Sequence, residues 1–480
     1  MTGLRVLVVG TVMCLVAAAF AVAQETPTER EAAREVLAKL DALERSLDVP
    51  ALVRSLTAPN TERDGVVGRA RELMQKELLA LGDDITRNPE IGFEERRSIR
   101  KLIDYLDTHG FRTEVPVAGL ETAFVSTWNG QAGGPTLGII VEYDALRGTE
   151  RAFHGDQHST QGPVGLAAAV AMAEYLRRSG TPGRVVVYGC PGEEMMPPNA
   201  KTVMYEAGVF DGADVIVRSH ASGATRRPAP GFGTCCMNID GVKYIFGGAP
   251  AHQLAAWNGR NALEAVVHLF NNIDSVRSNL RPEARIQGVI TEGGAAPNVV
   301  PDRTVADFYI RYPDEVYLRQ VREFVDNAAR AAALSTGTKV RIDHYGTTRD
   351  GISVATLAEV AFEYMKMYGA TNVAPEPGKP QGYEETGSVS SAIPGIGFSA
   401  HSSNAAGHTY EMEADAMADV GHHGFTVDAQ AMTALLFDFA TRPAYRDAVK
   451  REFDGIRQLF AEYLAALEKA YPVPVVRDPK

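Results

Sequence analysis

The chain has 480 residues, of which 45% are hydrophobic and 22% are charged, so it is long enough for two domains with a sizeable core. Its net charge is −12, from 48 Lys and Arg against 60 Asp and Glu, and no run rich in Lys and Arg stands out. Binding to nucleic acid or to an anionic membrane surface depends on a basic patch, so the sequence predicts neither kind of partner.

The first 23 residues have the pattern of a signal peptide. Arg5 precedes an apolar stretch over 6–20, and the small residues 21–23 (AVA) fit a cleavage site. The apolar stretch is too short to span a membrane, and charged sequence follows it. The sequence therefore predicts export, to a bacterial periplasm, with no stable membrane insertion after cleavage. An uncleaved anchor is the alternative.

Cleavage would leave three cysteines, Cys190, Cys235 and Cys236. Adjacent cysteines are geometrically poor disulfide partners, and three cysteines do not make a disulfide framework. One bridge involving Cys190 is an alternative, but we expect buried free thiols.

Apolar, β-branched runs alternate with helical periodicity in the first half of the chain. The predicted helices cover 28–56, 69–81, 98–106 and 164–178, and the predicted strands cover 136–141, 184–188 and 213–217. We expect the first of these helices to be exposed and amphipathic. Such alternation is typical of a sheet with helices on its faces.

A different pattern begins near Thr234. It runs strand 237–246, helix 261–273, strands 284–290 and 304–310, helix 316–332 and strand 340–344. This β-α-β-β-α-β order is typical of a ferredoxin-like domain. Helices over 359–368, 414–440 and 446–471 and a strand over 393–398 then resume the first pattern. The sequence thus predicts an α/β catalytic domain with a twisted mixed sheet flanked by helices, split over 24–234 and 347–480, with a ferredoxin-like α+β domain inserted over 235–346.

The segment 154–158 reads HGDQH and brings His154, Asp156 and His158 into one tight loop. It follows EYDAL, in which Asp144 lies just past a predicted buried strand, where sites assemble in α/β sheets. Neutral imidazole and carboxylate suit Zn²⁺ and Mn²⁺. The segment therefore indicates a metal site, and a polar loop with incidental histidines is the alternative.

Glu193 and Glu194 also follow a predicted buried strand and lie between Gly and Pro residues. Two consecutive side chains cannot share one direction, so the pair suits two tasks. One glutamate would bind metal and the other would face the substrate as a base. A solvated acidic pair is the alternative.

Two further histidines lie where a ligand could project. His220 ends the strand predicted over 213–217, and His408 precedes a predicted helix, with His401 as a nearby competitor. The remaining histidines are expected on helix surfaces or in structural positions: His109, His268, His344, His422 and His423.

The inserted domain carries three polar side chains that could bind a carboxylate and an oxyanion. His252 lies on a strand-to-helix loop, Asn298 lies between Gly and Pro turn signals, and Arg311 ends a predicted strand. Ordinary polar loop groups are the alternative for each of them.

Taken together and in this order, these segments resemble peptidase family M20, subfamily D, and particularly its aminobenzoyl-glutamate utilisation B-like, aminoacylase-like branch. The similar segments are NPEIGFEE (88–95), GLETAFVS, GIIVEYDAL, HGDQH, PGEE, MYEAGVFDGADVIVRSH, AHQLAAWNGRNALEAV, GGAAPNVVPD and GHTYEM. The resemblance covers nearly all of the mature chain. It implies a zinc exopeptidase-like catalytic domain and a smaller lid domain that often mediates dimerisation, so a homodimer or a higher homo-oligomer is expected.

The resemblance also implies roles for individual residues. Glu193 is the general base, and His252 polarises the scissile carbonyl group, commonly across the dimer. Two divalent metal ions, Zn or Mn, are implied with five ligands: Asp156, His158, Glu194, His220 and His408. Supporting positions are implied for Asp144 and His154 beside the metals and for Asn298, Arg311 and Glu385 near the substrate.

The chain departs from the subfamily pattern at two positions. Asp156 stands where subfamily D usually has cysteine; a carboxylate is harder than a thiolate and can bridge two cations, which favours Zn²⁺ or Mn²⁺. Glu385, in EETGSVS (384–390), replaces the usual aspartate and is one methylene longer. The first change is compatible with activity, and the second bears on substrate shape.

The sequence therefore predicts an exported amidohydrolase that cleaves an N-acyl amino acid or a dipeptide-like small molecule with metal-activated water and Glu193 as the base. The alternatives are a metal-dependent exopeptidase, that is, a carboxypeptidase or dipeptidase, and an inactive periplasmic binding relative.

Overall fold

The computed structural model describes residues 27–195, 200–227, 231, 237–374 and 387–471. The predicted signal peptide, Cys235, Cys236 and Glu385 lie outside these ranges. Over the described ranges, every helix is too short or too polar to cross a membrane.

The helices and strands follow in chain order. The helices are α1 (Pro27–Ala32), α2 (Arg34–Ser46), α3 (Val49–Leu56), α4 (Thr61–Leu73), α5 (Leu79–Arg87), α6 (Arg96–Thr108), α7 (His158–Ser179), α8 (Ala200–Glu206), α9 (Ala262–Val276), α10 (Glu315–Thr336), α11 (Ala355–Met367), α12 (Gly387–Ser390), α13 (Tyr410–Ala416), α14 (Asp419–Thr441) and α15 (Pro443–Ala470). The strands are β1 (Arg112–Glu114), β2 (Phe124–Asn129), β3 (Thr136–Val141), β4 (Leu146–Arg147), β5 (Ala152–Phe153), β6 (Arg184–Gly189), β7 (Val215–Ser219), β8 (Asn238–Gly247), β9 (Arg285–Glu292), β10 (Arg303–Tyr312), β11 (Lys339–Thr348) and β12 (Gly395–Phe398).

The catalytic domain is built on a six-stranded mixed sheet in the order β1-β2-β6-β3-β7-β12. Strands β6, β3, β7 and β12 are parallel, whereas β1 and β2 are antiparallel additions at one edge. Every residue of β3 is buried, as expected for a central parallel strand covered on both faces. The carboxyl ends of the four parallel strands meet at one edge, where ligands bind in open α/β sheets.

Helices cover both faces of this sheet. On one face, Ile139 and Val141 of β3 join a large core with α7, whose residues are buried over most of its length, and with α4 and α14. On the other face, Ile140 of β3 joins a smaller core with Met204 of α8 and with Phe210. The central strand is thereby held rigidly, so the loops after it are well placed for a site.

The inserted domain is a four-stranded antiparallel sheet in the order β11-β8-β10-β9 with α9 and α10 packed on it. Its β-α-β-β-α-β order and this strand order are those of a ferredoxin-like fold. Tyr244 and Phe308 lie in its core with their rings edge to face at 5.7 Å. The predicted fold class is confirmed.

The structure differs from the sequence prediction at two helices. The single exposed helix expected over 28–56 is three helices, because Asp48 takes a left-handed conformation (φ 40°) and caps α3 ahead of Pro50. Val36 and Leu40 of α2 are buried, so this region is not simply exposed. Helix α7 begins at His158, six residues before the expected start at Val164, since its first turn is polar and contains Pro163.

A buried carboxyl pair links the first helix to the inserted domain. Asp314 caps α10 by accepting the N–H of Tyr317 at 2.7 Å, and its carboxyl group hydrogen bonds with that of Glu29 in α1. Both side chains are buried. Burial raises the pKa of Asp314 from its ordinary 3.8 to about 8, and the bond to Glu29 acts in the same direction.

This raised pKa predicts that stability falls with increasing pH. The folded chain keeps the Asp314 proton up to about pH 8, whereas the unfolded chain loses it near 3.8, so the free energy of unfolding should decrease between these values. Asp314→Asn keeps the capping oxygen but removes the titration. Urea titrations across pH should show a flatter dependence for the variant and a variant more stable than the wild type above pH 8. Parallel curves for the two proteins would contradict this assignment.

Candidate metal centre

The candidate metal ligands lie where the sheet ends or where a helix begins. Glu193 and Glu194 follow β6, and His220 follows β7. His158 is the first residue of α7, and Asp156 lies two residues before it. His408 lies two residues before α13, in a left-handed conformation (φ 60°) fixed by its N–H, which donates to the Gly155 carbonyl group. These polar segments therefore converge on one edge of the sheet.

These side chains form three overlapping groups of possible ligands, with donor atoms within 4.8 Å of one another in each group. The groups are Asp156–His158–His220, Asp156–Glu194–His408 and His158–Glu193–Glu194. Asp156 belongs to the first two groups, as a carboxylate that bridges two cations would. The donor set is imidazole and carboxylate, which suits divalent Zn or Mn, so the residues present fit two metal ions.

The Asp156 carboxylate lies between three histidines. Its Oδ2 atom is 3.4 Å from Nε2 of His220, 3.7 Å from Nε2 of His408 and 3.8 Å from Nε2 of His158. Burial alone would raise the pKa of Asp156, but these imidazoles outweigh burial and hold it well below its ordinary value. Asp156 is therefore ionised and available to bind cations.

Asp144 orients two of the candidate ligands at once. Its Oδ1 is 2.9 Å from Nδ1 of His158, and its Oδ2 accepts the backbone N–H of Glu194 at 2.8 Å. A carboxylate on Nδ1 leaves Nε2 of the ring to bind metal. Nε2 of His158 is buried and has no hydrogen-bond partner among the described residues, as expected of an atom that binds a cation.

The two consecutive glutamates are placed differently. Glu194 belongs to two of the three donor groups, and burial raises its pKa to about 7. Glu193 belongs to one group, with Oε2 4.0 Å from Nε2 of His158, and is 5% exposed. This difference favours Glu194 as a ligand and Glu193 as the neighbouring base.

A buried charged cluster lies behind the centre and was not foreseen from the sequence. Glu142, two residues before Asp144, forms ion pairs with Lys201 of α8 and, at 3.3 Å, with Arg218 of β7; it also accepts a hydrogen bond from Gln161 at 2.8 Å. All four side chains are at most 1% exposed. Burial alone would raise the pKa of Glu142, but the two cations lower it below its ordinary value. The cluster joins β3, β7, α7 and α8 beneath the ligands.

Breaking this cluster should be costly. Lys201→Met leaves the buried Glu142 carboxylate with one cation fewer, and removal of one partner from a buried ion pair typically costs about 3–5 kcal/mol. We expect a loss near the lower end, since Arg218 remains. Urea unfolding measures it, with Lys366→Met as the control. Lys366 pairs with Glu363 on the surface, so its loss should cost under about 1 kcal/mol. Equal effects of the two variants would contradict the assignment.

The HGDQH loop is held from the side of α13. Glu413 is buried, accepts the N–H of His154 at 2.9 Å and pairs with Arg151. Arg151 also stacks over the ring of Tyr410, 4.8 Å from its centroid. His154 is buried outside the three donor groups, and burial lowers its pKa to about 3, so it remains neutral. It lies beside the ligands rather than among them.

The NPEIGFEE segment supports the glutamate loop. Buried Glu95 accepts the N–H of Gly192 at 2.8 Å and the hydroxyl of Thr122 at 2.7 Å. Ile91, in the same segment, pairs with Ala145, next to Asp144. The acidic residues of this segment were the available sequence signal, but their partners are distant in sequence.

The inserted domain contributes none of the three donor groups. His252 is exposed, and its Nδ1 accepts the N–H of Leu254 at 3.1 Å. Asn298 is exposed on the neighbouring loop, where its carbonyl oxygen accepts the N–H of Gln253. Arg311 lies on β10 with its guanidinium 5.8 Å from the ring of Tyr309. These three remain predicted substrate contacts.

The other histidines lie outside the donor groups. His401 is buried with Nδ1 3.0 Å from the Thr371 hydroxyl, so His408 rather than His401 joins the cluster. His422 and His423 are on α14, as expected for a helix surface. Cys190 is buried and free, as expected.

Comparisons with known proteins give a consistent result. Residues 237–336 match a family described as a peptidase dimerisation domain. The chain is 32% identical over 403 residues to the Xaa-Arg dipeptidase of Homo sapiens, an alignment that covers 78% of this chain and 88% of that protein. It is 30% identical over 305 residues to a p-aminobenzoyl-glutamate hydrolase of Escherichia coli, covering 60% of this chain and 62% of that protein.

A solved structure agrees with the fold. The Bacillus subtilis YXEP protein, described as a dinuclear metal binding peptidase from the M20 family, superposes with a TM-score of 0.54 at 17% identity and covers 76% of this chain and 99% of that one. The predicted family is confirmed by these likenesses. The chain belongs to peptidase family M20 and is a metal-dependent hydrolase of amide bonds.

Proposed function

We propose that this chain is an exported amidohydrolase that cleaves the amide bond of an N-acyl amino acid or a dipeptide-like molecule, with two divalent metal ions, Zn or Mn. The observation that carries the proposal is the pair of donor groups that share Asp156, with Glu193 beside them. Two-metal hydrolases use such a shared centre to generate a nucleophile from water near neutral pH.

The proposed ligands divide around Asp156. His158 and His220 lie with it on one side, and Glu194 and His408 lie with it on the other. His408 is 59% exposed at its side chain, whereas His158 is 1% exposed, so solvent reaches the centre from the His408 side. We infer that the substrate enters from that side.

The chain's own groups then provide the proton transfers. Bound divalent ions lower the pKa of water and polarise a carbonyl group. Glu193 accepts the proton of the attacking water on a carboxylate oxygen and delivers it to the amide nitrogen as the C–N bond breaks. Asp144 keeps Nδ1 of His158 engaged throughout, and Glu95 keeps the backbone of the glutamate loop in place.

The inserted domain is proposed to complete the site in a homodimer. His252 lies exposed, outside the donor groups of its own chain, and would donate to the carbonyl oxygen of a substrate bound in the partner protomer. Asn298 and Arg311 would bind the substrate carboxylate, and Glu385 would shape the same region. The match to a dimerisation domain supports this arrangement.

Substrate profiling tests the proposal. The purified chain, with Zn²⁺ or Mn²⁺ added, should release free amino acid from members of a panel of N-acyl amino acids, lose activity in a chelator and regain it when metal is restored. Release from dipeptides alone would favour the second candidate, a dipeptidase, which the likeness to the human Xaa-Arg dipeptidase supports. No release from either class and no metal-dependent rise in Tm would favour the binding relative and contradict the proposal.

Export has its own test. A mature protein recovered from the periplasm of an expressing bacterium should begin at Gln24. A protein recovered from the cytoplasm with Met1 retained would contradict export and leave the proposed chemistry untouched.

A further inference from the structure

Two exposed apolar side chains flank the glutamate pair. Phe93 is 36% exposed and Met195 is 41% exposed, although the core of the domain that carries them buries its large apolar side chains. Met195 directly follows Glu194. A methyl group built on Gly192, just before Glu193, would lie 2.6 Å from Cζ of Phe93, and one built on Gly92 would overlap the Met195 side chain. The two loops therefore interlock, each side chain packing on a glycine of the other.

The exposure of Phe93 is maintained against backbone strain. Its φ angle is 67°, in the left-handed region that bulky residues avoid, at a typical cost of about 1–3 kcal/mol. Neighbouring bonds hold it there: Glu95 accepts the N–H of Gly192, and Ile91 pairs with Ala145. Strained residues of this kind cluster at ligand-binding sites. The Phe93 ring is thus fixed in solvent rather than folded into the core.

The charge around Phe93 indicates which half of the substrate it contacts. Glu94, Glu193 and Glu194 are its acidic neighbours in the two loops. The arginines that follow in the chain are engaged elsewhere, Arg96 with Glu121 and Arg97 with Asp84. A substrate carboxylate would be repelled here, so the amino-acid half of an N-acyl amino acid is excluded and the uncharged acyl half fits.

From this geometry we infer that Phe93 and Met195 form the acyl-group subsite, which takes an aromatic or large apolar acyl group beside the scissile amide. This inference rests on the proposed function and adds the substrate class. An aromatic acyl group stacked on Phe93 and touching Met195 would place its carbonyl group at the Glu193 loop. The two residues determine specificity and take no part in the proton transfers.

The test compares two acyl groups on one amino acid. Values of kcat/KM are measured for N-benzoyl and N-acetyl derivatives with the wild type, Phe93→Asn, Phe93→Tyr and Met195→Ala. Asparagine tolerates a positive φ, so Phe93→Asn removes the ring without added strain. It should lower the benzoyl-to-acetyl ratio about threefold to tenfold, the usual contribution of one aromatic contact, whereas Phe93→Tyr should preserve it. Leu334→Ala, at an exposed leucine of α10, serves as the matched control.

Binding to an inactive variant separates this inference from the proposed function. Calorimetry with metal-loaded Glu193→Gln, with and without Phe93→Asn, measures the affinity ratio of the two acyl derivatives directly. A ratio that falls in the double variant supports the subsite, even if the wild type hydrolyses neither compound and the proposed function fails. An unchanged ratio, or an equal loss for both acyl groups, would overturn the subsite even if hydrolysis is confirmed.

Discussion

Glu193→Gln is expected to lower kcat by about a hundred- to ten-thousand-fold, because removal of a general base commonly has an effect of this size. Glutamine has nearly the same shape as glutamate but cannot accept the proton of the attacking water. Glu193 belongs to only one donor group and Glu194 to two, so metal binding should persist in the variant. The loss should therefore appear in kcat, with KM changed much less.

Steady-state kinetics and metal analysis of the same preparation measure this effect. Glu206→Gln is a suitable control, because Glu206 is an exposed glutamate at the end of α8, away from the donor groups. Wild-type turnover by a folded, metal-loaded Glu193→Gln enzyme would exclude Glu193 as the base. A loss of metal in that variant would instead make Glu193 a ligand.

Asp156→Asn is expected to have the second large effect, on metal binding. Asp156 is common to two donor groups and lies within 3.8 Å of three imidazole nitrogens, so loss of its charge affects both proposed metal positions. Mutation of residues that only support a ligand typically costs about 10–100-fold in metal affinity, which sets a lower bound for a shared ligand. Metal competition titrations should show at least about a hundredfold weaker affinity and a matching loss of activity at limiting metal.

Asp156→Cys is the informative companion variant. A thiolate can also bridge two cations, so binding should be recovered, with preference shifted toward softer metal ions. Unaltered metal affinity in Asp156→Asn, or complete failure of Asp156→Cys to bind any divalent ion, would show that Asp156 is not the shared ligand.

The sequence predicted the fold because its signals are local. The β-α-β-β-α-β order of the inserted domain is visible in periodicity alone, and its strands lie within a few residues of the predicted ranges. The break at Asp48 was missed because helical periodicity continues through it, and the start of α7 was missed because its polar first turn faces the site rather than the core. Site formation overrode pattern in that second case.

The candidate ligands could be chosen from sequence because they follow buried strands and the resemblance orders them. Their supporting groups could not. The ion pairs of Glu142 connect residues more than fifty positions apart, and Glu95 acts on Gly192 across the sheet edge. Only the packing of β3, β6 and β7 brings such partners together, so a one-dimensional pattern carries no signal for the pairing.

The most direct test of the two-metal account is anomalous X-ray diffraction from crystals of the wild-type protein loaded with Zn²⁺ or Mn²⁺. The account predicts two anomalous peaks that share the Asp156 carboxylate, one also contacting His158 and His220 and the other Glu194 and His408. Full loading with no peak at Asp156, or with a single peak that leaves one of these pairs without metal, would contradict it.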